Sequence, residues 1–306
     1  MSTYYSSGKL LITGEYLIID GAESICIPTK KGQSLTALDT DDKIISWKSF
    51  DVNNCVWFEC RLYAATLEII STSDQSKSEF LITILKEALL LNPDAKDKFN
   101  SGVDVETKLD FDTTWGLGSS STLLCNISKW LEVDAFKLHF KTTNGSGYDI
   151  ACGLSTSPLI YQVINQKPNY QQVDFDPIFK DQIYFIHLNK KQVSSNEVKT
   201  YNSNKDPKTI AKSVATISSI SKQLITCNTL SEFEKLLSKH EQLTAQALGK
   251  QTIKKLLFND YSGGIIKSLG AWGGDFILVT TSKTTDLDYF KNKGYTTIIN
   301  WNEMFI

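Results

Sequence analysis

No two cysteines of this sequence fall in a C-x-x-C pair, although six are present: Cys26, Cys55, Cys60, Cys125, Cys152 and Cys227. Their spacing matches no zinc site, and Cys125 and Cys152, set among apolar neighbours, read as buried thiols. Strong charge of either sign is missing as well. A formal net charge of -2 excludes the broad basic surface of a dedicated nucleic-acid binder, though not a local basic pocket. No apolar run approaches the roughly 20 residues that cross a bilayer, so no membrane partner is expected. The opening MSTYYSSGKLLITGEYLIID is too polar and too interrupted for a signal sequence, and reduced cysteines in a cytoplasm are the expectation. Histidine is scarce: His139, His187 and His240 are the three present. They share no motif and are not expected to act in catalysis or metal binding. Internal repeats and low-complexity segments are absent.

What is present is enough for a packed core. The chain has 306 residues, 41% hydrophobic and 22% charged, which suggests about two domains. The first third is rich in short β-branched or aromatic segments: KLLITGEYLII, SICIPTKKGQSLTAL, IISWKSF and VWFECRLY. Ser78 to Leu91 places Phe80, Leu81, Ile84, Leu85, Ala88 and Leu89 on one helical face. GVDVETKLDF alternates as a strand does. A second helix carries Leu123, Leu124, Ile127 and Leu131 on one side, and the Gly-Ser-Gly turn at 145–147 precedes a short helix and a strand. NQKPNYQQVDFDPIFKD, residues 165–181, reads as a domain seam. QIYFIHL and DFILVTTS read as strands and TTIINW as the closing strand, while 209–226 and 230–248 read as amphipathic helices. Strands and helices mix without a regular βαβ alternation, which predicts an α+β fold, with domains at 1–178 and 179–306.

The stretch TTWGLGSSSTLLCNISKW, Thr113 to Trp130, puts two glycines and three serines directly before helical spacing. It has two explanations. Serine at a helix start is an ordinary cap. Alternatively, glycines let backbone amides approach a ligand closely, and the helix's free N–H groups and positive dipole end attract an anion such as phosphate. No Gly-Lys-Ser/Thr follows, so this is not a Walker loop. Ser121 stands where a dinucleotide fingerprint needs its third glycine.

Two further stretches bear on that choice: SSGKLLITGEYLIIDGA, residues 6–22, and SLGAWGGDFILV, residues 268–279. With GLGSSS between them, the three resemble, in order and spacing, the signature motifs of the GHMP kinases, a superfamily of small-molecule kinases. Gly14-Glu15-Tyr16, Gly273-Gly274-Asp275, GSGYDIA at 145–151 and KKQVSSNEV at 190–198 are most similar to the phosphomevalonate kinases, with the mevalonate kinases next. The resemblance spans the chain. It implies a two-domain fold, with an N-terminal domain like the second domain of a ribosomal S5 protein and a ferredoxin-like C-terminal domain. It also implies an ATP-dependent kinase using Mg²⁺, with phosphomevalonate as acceptor; mevalonate, a sugar, or a silent nucleotide-binding sensor are the alternatives.

The same resemblance assigns roles. Lys9 matches a lysine near the transferred phosphate and Asp149 the catalytic aspartate. Trp115, Gly116, Leu117, Gly118, Ser119, Ser120 and Ser121 would hold ATP, with Ser120 on Mg²⁺. Glu15, Tyr16, Ser146, Gly147, Ser194, Ser195, Gly270, Ala271, Gly273 and Gly274 would face the substrate, and Lys190 and Lys191 would adjoin its phosphate. Each has a plainer alternative: a solvated strand-end lysine for Lys9, a helix-capping turn residue for Asp149, core packing for Tyr16. Two departures stand out. FKLHFKTTNGS before Asp149 has no acid where mevalonate kinases carry a glutamate. Trp272 replaces a motif glycine, so its side chain must point away or reshape the pocket.

Overall fold

A computed structural model describes residues 1–190, 198, 201–203, 207–270 and 272–306. By its contacts the chain divides into two compact units. The first comprises Met1–Gly8, Lys31–Thr113 and Leu117–Leu154; the second comprises Lys9–Lys30, Thr114–Gly116 and Ser155–Ile306.

The first unit is built on strands, of which Ile44–Phe50, Val56–Tyr63 and Val103–Leu109 bury alternate side chains. β1 (Ser2–Leu11) pairs with β2 (Ser24–Asp39), both of which run on from one unit into the other. β2 from Gln33 to Asp39 pairs antiparallel with β6 (Val103–Leu109), and β6 pairs in parallel with β3 (Ile44–Phe50). Beyond β3 lie β4 (Val56–Tyr63) and β5 (Ile69–Thr72), both antiparallel, giving the order β5-β4-β3-β6-β2. In β6, Val103, Val105, Thr107 and Leu109 are buried and the residues between them exposed, the period of a sheet with one dry face. Helices α1 (Gln75–Leu91), α2 (Ser119–Trp130), α3 (Ala135–Thr142) and α4 (Tyr148–Leu154) pack among themselves. Leu81, Ile84, Leu85 and Ala88 from α1 join Ile45, Trp47, Val103 and Trp130 in one core. The predicted start of α1 was Ser78. The helix begins three residues earlier because the Asp74 side chain accepts the Lys77 N–H at 3.1 Å.

In the second unit, β2 from Ser24 to Cys26 pairs with β7 (Leu159–Ile164), which forms a hairpin with β8 (Lys167–Gln172). A four-stranded sheet has the order β10-β11-β9-β12, from Ile266–Ser268, Phe276–Thr280, Ile183–His187 and Ile298–Asn300. Its helices are α5 (Pro207–Ile225), α6 (Leu230–Leu248), α7 (Ile253–Leu257), α8 (Asp288–Asn292) and α9 (Trp301–Met304), with α5 against α6. All five residues of β11 are buried. Ile186, Ile253, Phe258, Ile266, Ile277 and Phe290 form this unit's core.

The architecture is mixed helix and strand, α+β as expected. Three local readings need correction. The expected seam at 165–181 contains β8: Asn165 and Gln166 both take left-handed backbone (φ 50° and 58°), and such a two-residue turn matches strand twist and closes a hairpin. Pro168 is tolerated because β8 ends its row of strands. TTIINW is a strand only to Asn300. There the Asn300 side chain and Glu303 form a reciprocal capping box that starts α9. The short helices α3, α7 and α8 were not foreseen. Among the described residues no helix is long and apolar enough to cross a membrane, and all six cysteines are free thiols, Cys125 and Cys152 among the buried ones.

Candidate active site

In the first unit, α2 starts without a side-chain cap. Its N-cap is Gly118, at φ 92°, a left-handed conformation that glycine adopts freely. Asp74, Asp134, Thr229, Thr252 and Asn300 each cap their own helices with a side-chain oxygen. Glycine cannot, so the first amides of α2 are left for another acceptor. The three serines then divide. Ser121 is buried and its hydroxyl donates to the Gly118 carbonyl at 2.9 Å. Ser120 is exposed, and among the described residues no partner holds the hydroxyl of Ser119 or Ser120. The next residue, Thr122, is buried and donates to Gln33 Oε1 at 2.8 Å, while Asn126 donates to the Gln33 carbonyl at 2.8 Å. These bonds hold α2 against β2 and fix where its first turn points. Leu117 is fully buried and anchors the loop.

Asp149 lies in the first turn of α4, half-buried, with Oδ1 accepting the Ile150 N–H at 3.1 Å. Ile150 and Ala151 donate back to the Gly147 carbonyl at 3.1 Å each, and Gly147 sits at φ 84°. The Asp149 charge reaches α2. Burial, and then that charge, push the Cys125 thiol up to about 12, so Cys125 stays protonated and inert. Ser146 is buried beside this turn.

In the second unit the first motif, Gly116 and the third motif come together. Lys9 Nζ donates to the Gly116 carbonyl at 2.8 Å. Gly116 has φ 66°, and a Cβ there would lie 2.4 Å from the Asp275 carboxyl carbon, so only glycine lets the backbone pass this carboxylate. Asp275 itself is held by its N–H on the Lys190 carbonyl (2.9 Å) and by its own carbonyl accepting the Leu188 N–H (2.8 Å). Trp115 packs edge-on against Phe276 at 5.6 Å and tilted against His187 at 6.4 Å, and the His187 ring is 3.2 Å from the Thr114 carbonyl. Tyr16 is buried with φ 63°, and its hydroxyl accepts the Trp272 N–H at 2.9 Å. The Trp272 indole is only 4% exposed and donates to the Gln251 carbonyl at 3.2 Å, so this side chain is turned into the unit. Gly270 and Gly273 take left-handed backbone on either side of it, and Gly274 follows before Asp275.

Glu15 is buried. It pairs with Lys267 in the interior, with His240 and Glu241 beside it. Lys267, His240, Glu241 and the placement of Asp275 were not legible as a group, because β10, α6 and the first motif are remote in sequence. His240, not expected to act in catalysis or metal binding, accepts the Gly14 N–H at 2.8 Å. Ser194, Ser195, Lys191 and Ala271 lie outside the described residues.

Among the described residues no cluster of three or more His, Cys, Asp or Glu could hold a metal ion by itself. The exposed Ser120 hydroxyl, at an uncapped helix start where phosphate oxygens would be drawn, is a hard oxygen donor. That set suits Mg²⁺, which takes few protein ligands and keeps several waters.

No protein-family model matches the chain, and no curated protein matches it. Solved structures do. Mevalonate kinase of Methanococcus jannaschii is similar at TM-score 0.71 and 14% identity, over 98% of this chain and 97% of that one. Phosphomevalonate kinase of Streptococcus pneumoniae, in complex with phosphomevalonate and AMPPNP, is similar at TM-score 0.70 and 16% identity, over 98% of this chain and 100% of that one. Galactokinase of Lactococcus lactis, complexed with galactose, is similar at TM-score 0.63 and 13% identity, over 97% and 92%. The chain therefore has the two-domain α+β fold of the GHMP kinases.

Proposed function

We propose that the protein is an ATP-dependent small-molecule kinase that transfers the γ-phosphoryl group to phosphomevalonate, in isoprenoid precursor synthesis in the cytoplasm. The observation that carries this reading is the start of α2: an uncapped, glycine-led helix end with the exposed Ser120 hydroxyl, on a fold in which a similar structure holds AMPPNP. Residues 1–178 are proposed as the nucleotide-binding domain and 179–306 as the second.

Phosphoryl transfer asks for positioning and charge neutralisation more than for covalent chemistry. The amides from Trp115 to Ser121 would bind nucleotide phosphate oxygens, with the α2 dipole favouring their charge. The Lys9 ammonium would offset charge on the γ-phosphoryl oxygens. Asp149 would orient the acceptor oxygen. A phosphate acceptor is already largely ionised near neutral pH, so it needs a base less than an alcohol does. Ser120 would hold Mg²⁺, which supplies charge neutralisation on the phosphates when bound. Tyr16, Ser146, Gly147, Ser194, Ser195 and the segment Gly270, Ala271, Gly273 and Gly274 are proposed to shape the acceptor's site. Glu15 is proposed to act there with Tyr16.

A second reading, a catalytically silent nucleotide sensor, is favoured by the buried Trp272 in place of a motif glycine. One experiment separates the readings. ADP release is followed with Mg·ATP and, in turn, phosphomevalonate, mevalonate and galactose. Phosphomevalonate should be preferred in kcat/KM by at least about a hundredfold, since a site built for a charged group rejects the analogue lacking it. Preference for mevalonate or a sugar overturns the acceptor but not the kinase. Nucleotide binding without turnover on any acceptor supports the sensor.

A further inference from the structure

Four ionisable side chains are sealed inside the second unit: Glu15 (2% exposed), Lys267 (1%), His240 (0%) and Glu241 (3%). Burying such groups is expensive, and apolar replacements of similar volume often match or exceed the stability of a buried ion cluster. Here the pairing is also incomplete. His240 Nε2 accepts the Gly14 N–H, so that nitrogen carries no proton. Burial, and then the Lys267 charge, hold the imidazole well below its ordinary pKa, so it is neutral. It cannot donate to Glu15 Oε2, 3.4 Å away. Among the described residues that buried oxygen has no hydrogen-bond partner. A fold that carries an orphaned carboxylate oxygen spends stability on something other than stability.

The contacts show what is held. Lys267 Nζ pairs with Glu15 Oε1 and donates to the Ser268 carbonyl at 2.7 Å. Glu241 accepts the N–H groups of Ser268 (3.1 Å) and Ile253 (3.2 Å). Lys267 and Glu241 thus both grip backbone at β10, which runs straight into Gly270, while His240 holds the Gly14 amide. Tyr16 is pinned in a left-handed conformation that tyrosine rarely adopts. Its hydroxyl takes the Trp272 amide. Trp272 is tethered a second time through its indole.

We propose that Lys267 is a positioning residue: through Glu15 it holds Tyr16, and the Tyr16 hydroxyl holds the backbone at Trp272, so that the backbone from Trp272 to Asp275 keeps one conformation. The kinetic consequence rests on the kinase reading above; the conformational one does not. Asp275 is the carboxylate that Gly116 passes at close range, so loosening this segment disturbs the backbone that Lys9 also grips.

The test compares wild type with Tyr16→Phe, Lys267→Met and the charge-balanced double variant Glu15→Gln/Lys267→Met. Three quantities are measured: hydrogen exchange of the 269–276 peptide, thermal stability, and kcat and KM for Mg·ATP with the preferred acceptor. Tyr16→Phe and Lys267→Met should each speed exchange at the Trp272 amide by about tenfold or more. They should lower kcat by about ten- to a hundredfold, with KM for ATP within about threefold of wild type. The double variant should recover thermal stability without recovering exchange protection or kcat, which a merely structural ion pair would not do. Unchanged exchange in Tyr16→Phe and Lys267→Met overturns the proposal, as does a double variant that regains kcat together with stability. If Lys267→Met does not fold, Tyr16→Phe, which loses a single oxygen, decides. If wild type turns over no acceptor, the kinase reading fails, and the exchange measurement alone decides the positioning role.

Discussion

The start of α2 and the Glu15–Lys267 cluster use polar groups in opposite ways. At α2 the donors are backbone amides left uncapped by Gly118 and the exposed Ser120 hydroxyl. Such groups cost little while water serves them, and they are ready for an anion that arrives from outside. In the second unit the charges are enclosed, and among the described residues Glu15 Oε2 has no hydrogen-bond partner. Groups there are shut off from solvent, and in a low-dielectric interior they hold their partners firmly. Exposure, more than residue type, separates a group that binds from a group that positions.

The most severe way to break this contrast is at the exposed chemistry. Asp149→Asn should lower kcat by about 10²- to 10⁴-fold with little change in melting temperature; near-normal turnover would take Asp149 out of the mechanism. Next is Gly116→Ala, whose Cβ would fall 2.4 Å from the Asp275 carboxyl carbon at φ 66°. It should cost about 2–3 kcal/mol in denaturant unfolding and weaken binding of an ATP analogue. A variant as stable as wild type would mean that Asp275 moves aside freely.

The buried cluster should show itself in the pH dependence of stability. Burial raises the Glu241 carboxyl from 4.5 to about 7. Between those values the folded state keeps a proton that the unfolded state has lost, so this group's contribution falls as pH rises. His240, shifted down from 6.5 by burial and by Lys267, acts in the opposite sense: the unfolded state binds the proton, and stability rises with pH up to about 6.5. Glu15, also raised by burial, acts in the same sense as Glu241, so the wild-type slope is the balance of all three groups. Measured against Glu241→Gln, wild type should lose on the order of 1–3 kcal/mol from pH 4.5 to 7. Parallel curves would show that Glu241 titrates normally. The smallest effect is expected for Ser120→Ala, which should raise KM for Mg·ATP by about three- to tenfold. Unchanged Mg²⁺ dependence would remove Ser120 from the metal.

Much of the fold was legible from local signals. Helix α6 runs from Leu230 to Leu248 as its periodicity indicates, because Thr229 caps one end and Gly249, at φ 63°, closes the other. β3, β4 and β6 follow their alternation. β8 was hidden because Pro168 and a polar run, KPNYQQ, look like a linker; pairing with β7 makes it a strand. Trp272 announced itself as a departure, but its inward direction depends on Gln251 and Tyr16. His240 carried no signal at all, since its partner is the amide of Gly14, 226 positions away.

Taken alone, the order of residues determined the α+β class, the glycine-led start of α2 and the three-motif resemblance. These depend on neighbours a few positions apart: periodicity, caps and glycine torsions. Only the tertiary structure decided that Glu15 faces Lys267 across 252 positions, that Tyr16 holds Trp272 and that Gly116 rides over Asp275. Whether a charge is paired, orphaned or exposed is a property of the space around it, and that space is made by chain segments that no local pattern brings together.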